Sequence, residues 1–433
     1  MNLIVHKTST IHGQVTPPSS KSQTVRGLLF ALLAKGQSTL THALDSDDTQ
    51  HAIRVCKSLG ATITAKDDTL IVQSAGLPLK TCNPKIYTGN SGITTRFIMP
   101  ILGLRQNAHE AIILDCGEQM RARPIRTLVD ALKNLGLTIQ YLGDNGICPI
   151  AISGVLVGGQ TEVEGLSSQY LSALLMALPC AEKDSEMIVR DLHERPYVEM
   201  TLNWLKQQNI QYTHHASKQI DTFSIPGKQH YRPFQTTISG DFSSASYLIA
   251  AGVLLPGRVA LVGLDMQDPQ GDKRLIHLLQ EMGADITIES ERLIIQGGKP
   301  LTGISIDAND IPDLLPTLAV LGTQASGKTK IYHVSQARIK ETDRIHSMTE
   351  GLTRMGAKIE EHEDGITVCP SQLHGAQVNG YDDHRTVMAL SLAGMLAEEP
   401  TIISNAEAID KTFPNFITLM QSLGANMKLA NDA

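Results

Sequence analysis

Aromatic residues are scarce in this chain, at 4% of 433 residues with a single Trp, so a stacking platform for nucleic-acid bases is not expected. Positive charge is not in excess either. The formal net charge is −7, which argues against non-specific attraction to nucleic acid or anionic membranes and makes any basic site a local one. The six Cys, at positions 56, 82, 116, 148, 180 and 369, form no CxxC pair. That pattern fits reduced thiols better than a disulfide framework or a zinc site. Long apolar runs are missing as well: the stretches from Tyr247 to Pro256 and Leu171 to Pro179 are too short to span a bilayer. Met1 to Thr10 shows no basic segment followed by an apolar one, so no secretory signal is visible and a cytoplasmic location is expected. The His214-His215 pair lacks a spaced partner and reads as solvated surface.

What the chain does have is an internal repeat. Its length already suggests two domains. An amphipathic helical pattern ending in Leu or Met, then Gly, then a strand start recurs at Gly60, Gly136, Gly283, Gly356 and Gly424, with Asn209 in a weaker copy. The successive intervals are 76, 73, 74, 73 and 68 residues, so six copies of one supersecondary unit follow. Gly and Asn are the residues that tolerate the left-handed position ending a helix, which explains the exchange.

Each copy carries a second helix signal, a polar cluster leading into an apolar run. The starts are Ser20-Lys21-Ser22, Asn90-Ser91-Gly92, Ser167-Ser168-Gln169, Asp241 to Ser244, Asp310 to Asp313 and Asp383-His384-Arg385. Any one could be only a cap. Six aligned helix N-termini could together form an anion site. The last copy is truncated, and Asn2 to Thr16 could supply its missing strands. We therefore expect one domain over 20–239 and a second from 1–19 plus 240–433, hinged near 17–20 and 239–241, with ligands in the cleft between two similar halves.

Basic residues gather near those starts: Lys21, Arg26, Arg96 and Arg385, with Arg121, Arg123, Arg338, Lys340, Arg344 and Lys411 nearby in sequence. Singly each could be solvated surface; as a set they suit phosphate and carboxylate groups. Asp313 and Glu341 sit among them, and a carboxylate surrounded by cations stays ionised and can shuttle protons. Asp45-Ser46-Asp47-Asp48 reads chiefly as a cap for the helix ending at Gly60.

Taken in order and spacing, these blocks resemble the 5-enolpyruvylshikimate-3-phosphate (EPSP) synthases over nearly the whole chain. Arg121-Ala122-Arg123-Pro124-Ile125, Arg195-Pro196-Tyr197, Arg338 to Arg344 and Lys411-Thr412-Phe413-Pro414 add to the match. The resemblance implies an α/β fold of two similar domains, each of three βαβαββ units, in an inverse α/β barrel-like arrangement. It implies transfer of the enolpyruvyl group of phosphoenolpyruvate to the 5-hydroxyl of shikimate 3-phosphate with release of phosphate. Neither metal nor organic cofactor is expected, and no partner beyond these substrates; the expected state is a monomer, without nucleic acid or membrane.

By the same resemblance, Lys21, Ser22, Arg26, Ser167, Ser168, Gln169, Asp313, Gln336 and Lys340 face shikimate 3-phosphate. Lys21, Asn90, Gly92, Arg123, Gln169, Arg344, Arg385 and Lys411 hold phosphoenolpyruvate. Asp313 takes the 5-hydroxyl proton, Glu341 serves C3, and Lys21 lies between the substrates. Four positions depart from the usual pattern: Ser19 for Gly, Ile93 for Thr, Gln336 for Asn, and Glu194 where a phosphate-binding Ser is usual. Ile93 is expected to weaken inhibition by glyphosate, and Glu194 to repel phosphate unless Arg195 or another cation neutralises it. Two alternatives are UDP-N-acetylglucosamine enolpyruvyl transferase and a non-catalytic anion-binding paralogue. The first uses a reactive Cys before an Arg-Pro pair, but Cys116 lies seven residues before Arg123, too far for that motif.

Overall fold

The computed structural model describes residues 1–144, 146–217, 219–289 and 292–431. The chain divides into two compact units, Ser19–Ile238 and Met1–Pro18 with Ser239–Ala433, each with its own apolar core.

In the first unit the helices are α1 (Lys21–Leu33), α2 (Asp47–Ser58), α3 (Gly92–Ile101), α4 (Glu118–Arg121), α5 (Arg126–Asn134), α6 (Ser168–Ala177) and α7 (Arg195–Gln207). Three four-stranded sheets share one pattern: a short parallel edge strand, a central strand, then an antiparallel hairpin. Gln235–Thr237 pairs parallel with Gly36–Thr41, which continues into Thr69–Ser74 and Thr62–Lys66. The second sheet runs Lys85–Tyr87, Ile112–Asp115, Ile150–Ser153, Thr138–Tyr141. The third runs Gly159–Glu164, Ser185–Arg190, Ile220–Ile225, Thr213–Ala216.

In the second and third sheets α3 and α6 cross over between the two parallel strands, as parallel pairing demands, whereas the parallel edge of the first sheet, Gln235–Thr237, comes from the far end of the unit. Helices α1, α3 and α6 are apolar nearly all round and buried, whereas α2, α5 and α7 show one apolar stripe. Phe30 of α1 stacks on Trp204 of α7 and meets Tyr231 edge-on, fixing α1 against the third repeat. Truncating so enclosed an aromatic side chain to Ala costs about 3–5 kcal/mol.

The second unit repeats the plan with α8 (Phe242–Leu254), α9 (Arg274–Glu281), α10 (Leu315–Thr323), α11 (Arg344–Arg354), α12 (His384–Leu396) and α13 (Phe416–Ser422). Its four-stranded sheets run Ile11–Val15, Gly257–Val262, Arg292–Gly297, Asp285–Ile288, and Ser305–Asp307, Thr329–Tyr332, Gly365–Cys369, Lys358–His362. The last runs Gln377–Val378, Thr401–Ile403, Asn2–Val5, Met427–Ala430. The N-terminal segment thus serves two sheets, not one as expected. Asn2–Val5 completes the truncated repeat, while Ile11–Val15 supplies the parallel edge that the repeat after Gly240 lacks.

All six repeat residues end their helices left-handed. Gly60, Gly136, Gly283, Gly356 and Gly424 have φ between 89° and 108°, and Asn209 has 57°. In every copy the next amide bonds back to a carbonyl five residues earlier, as in Ala61 N–H to Cys56 O and Ile210 N–H to Leu205 O.

Of the six expected helix starts, five are capped by a side-chain oxygen, from Ser20, Ser91, Ser167, Asp241 and Asp383. The exception is α10, which follows a 3-10 turn over Pro312–Leu314 and has no side-chain cap. Asp313, inside that turn, has its carboxylate drawn to arginines instead. Ser46 caps α2 in a reciprocal pair with Thr49, as its sequence suggested. His214 departs from the surface reading: it stacks on Phe223 and lies 2.7 Å from Asp221.

Candidate active site

In the unit Ser19–Ile238, helix starts carry the polar groups. Lys21, the first residue of α1, has Nζ 3.1 Å from the Asp48 carboxylate in the first turn of α2. Arg26, one turn further, is buried: its guanidinium donates to Thr201 Oγ1 and to the carbonyls of Ser22 and Tyr197, beneath the Phe97 ring. Arg96 on α3 donates at 2.6 Å to Gln169 Oε1 on α6. Arg123 lies over the start of α3, so close that a Cβ on Gly92 would come 2.6 Å from its NH1. Asn90 Oδ1 accepts from the Met120 amide at 3.3 Å, tying the loop before α3 to the short α4.

At the start of α6, Ser167 is the cap, and Ser168 donates its N–H and its hydroxyl to one oxygen of Glu194. Arg195, one cation that could neutralise Glu194, grips Asp221 with both guanidinium NH₂ groups at 2.9 and 2.7 Å. Burial opposes ionisation of Asp221, but hydrogen bonds from Arg195 and His214 outweigh it and hold this carboxyl below its ordinary range.

In the other unit, Arg344 is the hub. Its guanidinium, 1% exposed, reaches Asp313 at 2.7 Å, Glu341 at 2.6 Å and Asp383 at 2.8 Å. Asp313 gives its second oxygen to Arg385 at 2.8 Å. Burial pushes Asp313 toward neutrality, but the fields of Arg385, Arg344 and Lys340 prevail and hold it far below the usual carboxylate range. Arg344 is correspondingly locked in its charged form: desolvation works against it, and Asp383, Glu341 and Asp313 overcome that. Gln336 is buried with its amide nitrogen 2.8 Å from the Asn309 carbonyl, and Lys411 Nζ lies 3.4 Å from the Asp382 carbonyl.

The structure therefore brings Asp313, Glu341, Lys340, Arg344 and Arg385 together in one unit, and links the starts of α1, α3, α6 and α7 in the other. Two members of the expected basic set are spent on structural acids. Arg121 is clamped to Asp115, and Arg338 to Asp343 and Glu361. One carboxylate escaped the sequence reading. Asp272 accepts from Ser243 Oγ and feels both Asp313 and Arg385; burial, reinforced by Asp313, pushes it up to about 7. Gln270-Gly271-Asp272 carried no signal beyond that of a turn.

Among the described residues, no cluster of three or more His, Cys, Asp or Glu is disposed to hold a metal, and no helix is long and apolar enough to cross a membrane. No disulfide occurs among them.

A buried guanidinium–carboxylate cluster where α10, α11 and α12 begin, with buried arginines in the first two turns of α1 and α3, in repeated α/β units, suits an enzyme that handles multiply charged anions. The sequence profile of EPSP synthase (3-phosphoshikimate 1-carboxyvinyltransferase) matches residues 5–420. Proteins named 3-phosphoshikimate 1-carboxyvinyltransferase are 43% identical in Acetivibrio thermocellus, covering 98% of this chain and 99% of that one, and 40% identical in Methanocaldococcus jannaschii, covering 99% of each. In fold, the chain is similar to EPSP synthase from Acinetobacter baumannii, with TM-score 0.83 and 23% identity over 100% of both chains. It is also similar to the enolpyruvyl transferase NikO from Streptomyces tendae, with TM-score 0.79 and 17% identity over 99% and 98%. The chain belongs to the EPSP synthase family.

Proposed function

We propose that this chain joins phosphoenolpyruvate to shikimate 3-phosphate in the shikimate route to chorismate and the aromatic amino acids. The 5-hydroxyl oxygen attacks C2 of phosphoenolpyruvate and loses its proton while C3 gains one. The tetrahedral adduct then breaks its bond to phosphate, and C3 returns a proton as the enol ether forms.

The observation that carries this reading is the cluster of Asp313 and Glu341 around Arg344. A passive anion receptor would be weakened by two carboxylates among its cations, whereas an addition–elimination needs groups that accept and return protons. In their assigned roles, Asp313 takes the hydroxyl proton and Glu341 serves C3. Arg344, Arg385, Lys411 and Arg123, with Asn90 and Gly92, hold phosphoenolpyruvate. Ser22, Arg26, Ser167, Ser168, Gln336 and Lys340 hold shikimate 3-phosphate, and Lys21 and Gln169 contact both.

The present pairing of Asp313 with two arginines makes it a poor base. Binding of phosphoenolpyruvate offers Arg344 and Arg385 competing anionic oxygens, which weakens their hold on Asp313 and raises its basicity.

Phosphate release from phosphoenolpyruvate, run with shikimate 3-phosphate and separately with UDP-N-acetylglucosamine, tests the proposal. Release with the first acceptor alone is expected; release with only the second would reverse the assignment. Lys21→Ala and Glu341→Ala should each leave a folded protein with a rate lower by at least about 100-fold, and near-normal rates would remove those residues from the mechanism.

A further inference from the structure

The donors at the start of α6 already have an anion. Glu194 Oε2 lies 3.2 Å from the Ser168 amide nitrogen and 2.7 Å from its hydroxyl oxygen, so one carboxylate oxygen takes both. A helix N-terminus with a serine hydroxyl beside it is what a phosphate oxygen would occupy. A phosphate oxygen arriving here must share these donors with Glu194 or take them over.

The backbone delivers Glu194 to this place. Gly165 N–H bonds to Arg190 O, and His193 N–H returns to Gly165 O. A Cβ at Gly165 would come 2.5 Å from Leu192 Cα, so the two segments lie closer than any other residue would allow. Asp191 and Glu194 both adopt left-handed backbone, φ 49° and 56°, which turns the chain into α7 with Glu194 as its N-terminal flanking residue. That first turn is held independently: Tyr197 accepts from Arg26, and Arg195 is clamped to Asp221. The backbone is fixed at both ends of the turn, so Glu194 can vacate its position only by rotating its side chain.

We infer that the Glu194 carboxylate is a resident occupant of the phosphate position at the start of α6, displaced when the phosphorylated substrate binds, and that it thereby sets the affinity for that substrate. The inference rests on the reading of Ser168 as a shikimate 3-phosphate ligand. A phosphate carries more charge and more acceptor oxygens than a carboxylate, so it displaces Glu194, though at some loss of affinity. Discrimination follows too: only a ligand with a strong anion at this point recovers what moving Glu194 gives up.

Glu194→Gln keeps the shape of the side chain and removes its charge. Titration calorimetry with shikimate 3-phosphate should show a Kd lower by about ten-fold in this variant, the scale of an anion's interaction with a helix N-terminus. Shikimate without its phosphate should change by less than about two-fold. The gain should shrink in the Ser168→Ala background, because Glu194 acts through Ser168. Glu194→Ser, checked by thermal unfolding, provides a second variant should Gln fold poorly. Unchanged or weaker binding of shikimate 3-phosphate, an equal gain for shikimate, or a gain of the same size without the Ser168 hydroxyl overturns the inference. Inorganic phosphate titrated alone separates this claim from the functional reading. Tighter phosphate binding by Glu194→Gln, with neither protein responding to shikimate 3-phosphate, supports the role of Glu194 and rejects the substrate. Turnover of shikimate 3-phosphate by the wild type with no change in the variants does the reverse.

Discussion

At the residue scale, the acids around Arg385 are held in opposite states. Asp313 is kept ionised by arginines, while Asp272 is kept protonated up to about pH 7 by burial and by Asp313 itself. In the unfolded chain Asp272 would ionise near pH 4. Between those values the unfolded state has released a proton that the folded state retains, so this group lowers stability as pH rises from about 4 to about 7. Asp272→Asn removes the loss. Urea unfolding should show the variant gaining on wild type by on the order of a few kcal/mol between pH 4 and pH 8; parallel pH profiles would refute the protonated assignment. Ile93 is buried in the first turn of α3, next to Gly92 under Arg123. Ile93→Thr should open that turn and strengthen inhibition by glyphosate by roughly ten-fold, the worth of one or two methyl groups in a tight pocket; equal inhibition discards the idea. Asp313, Glu341 and the cations were legible because charged residues clustered against an acidic background. Asp272 was not: its state depends on two groups more than 40 residues away in sequence, which no local pattern reports.

At the element scale, the six helix endings form one device used under different crowding. A Cβ added at Gly283 meets nothing closer than Pro300 O at 3.5 Å, whereas at Gly136 it would lie 2.7 Å from Val155 O. Gly283→Ala should therefore cost only the left-handed penalty, about 1–2 kcal/mol, and Gly136→Ala distinctly more. Thermal unfolding of the two variants checks the order, and equal losses would show that the backbone relaxes at Gly136. Helix endings were readable because φ > 0 admits so few residues, Asn209 included. Starts were less secure: before α10 the sequence Ile311-Pro312-Asp313 looks like a cap, yet tertiary ion pairs decided where that carboxylate went.

At the scale of the whole molecule, each unit has a separate core, and one of them is assembled from both ends of the chain. Asn2–Val5 lies between Thr401–Ile403 and Met427–Ala430, with Leu3 and Val5 fully buried. A chain beginning at Lys7 would leave two strand edges and an apolar slot exposed. Its melting temperature should fall by several degrees, or the protein should aggregate; unaltered melting would show that the strand is dispensable. The alternation within residues 2–16 announced strands, but pairing across more than 240 residues is set by tertiary geometry, so their separate destinations could not be read in advance.

That interleaving also dictates a timetable. Asn2–Val5 waits for Met427–Ala430, which at typical synthesis rates of about 5–20 residues per second is a delay on the order of a minute. The unit spanning Ser19–Ile238 can close during that interval, while Leu3 and Val5 stay without their sheet until Thr401–Ile403 and Met427–Ala430 have been made. Two apolar side chains that end fully buried thus spend that interval in water.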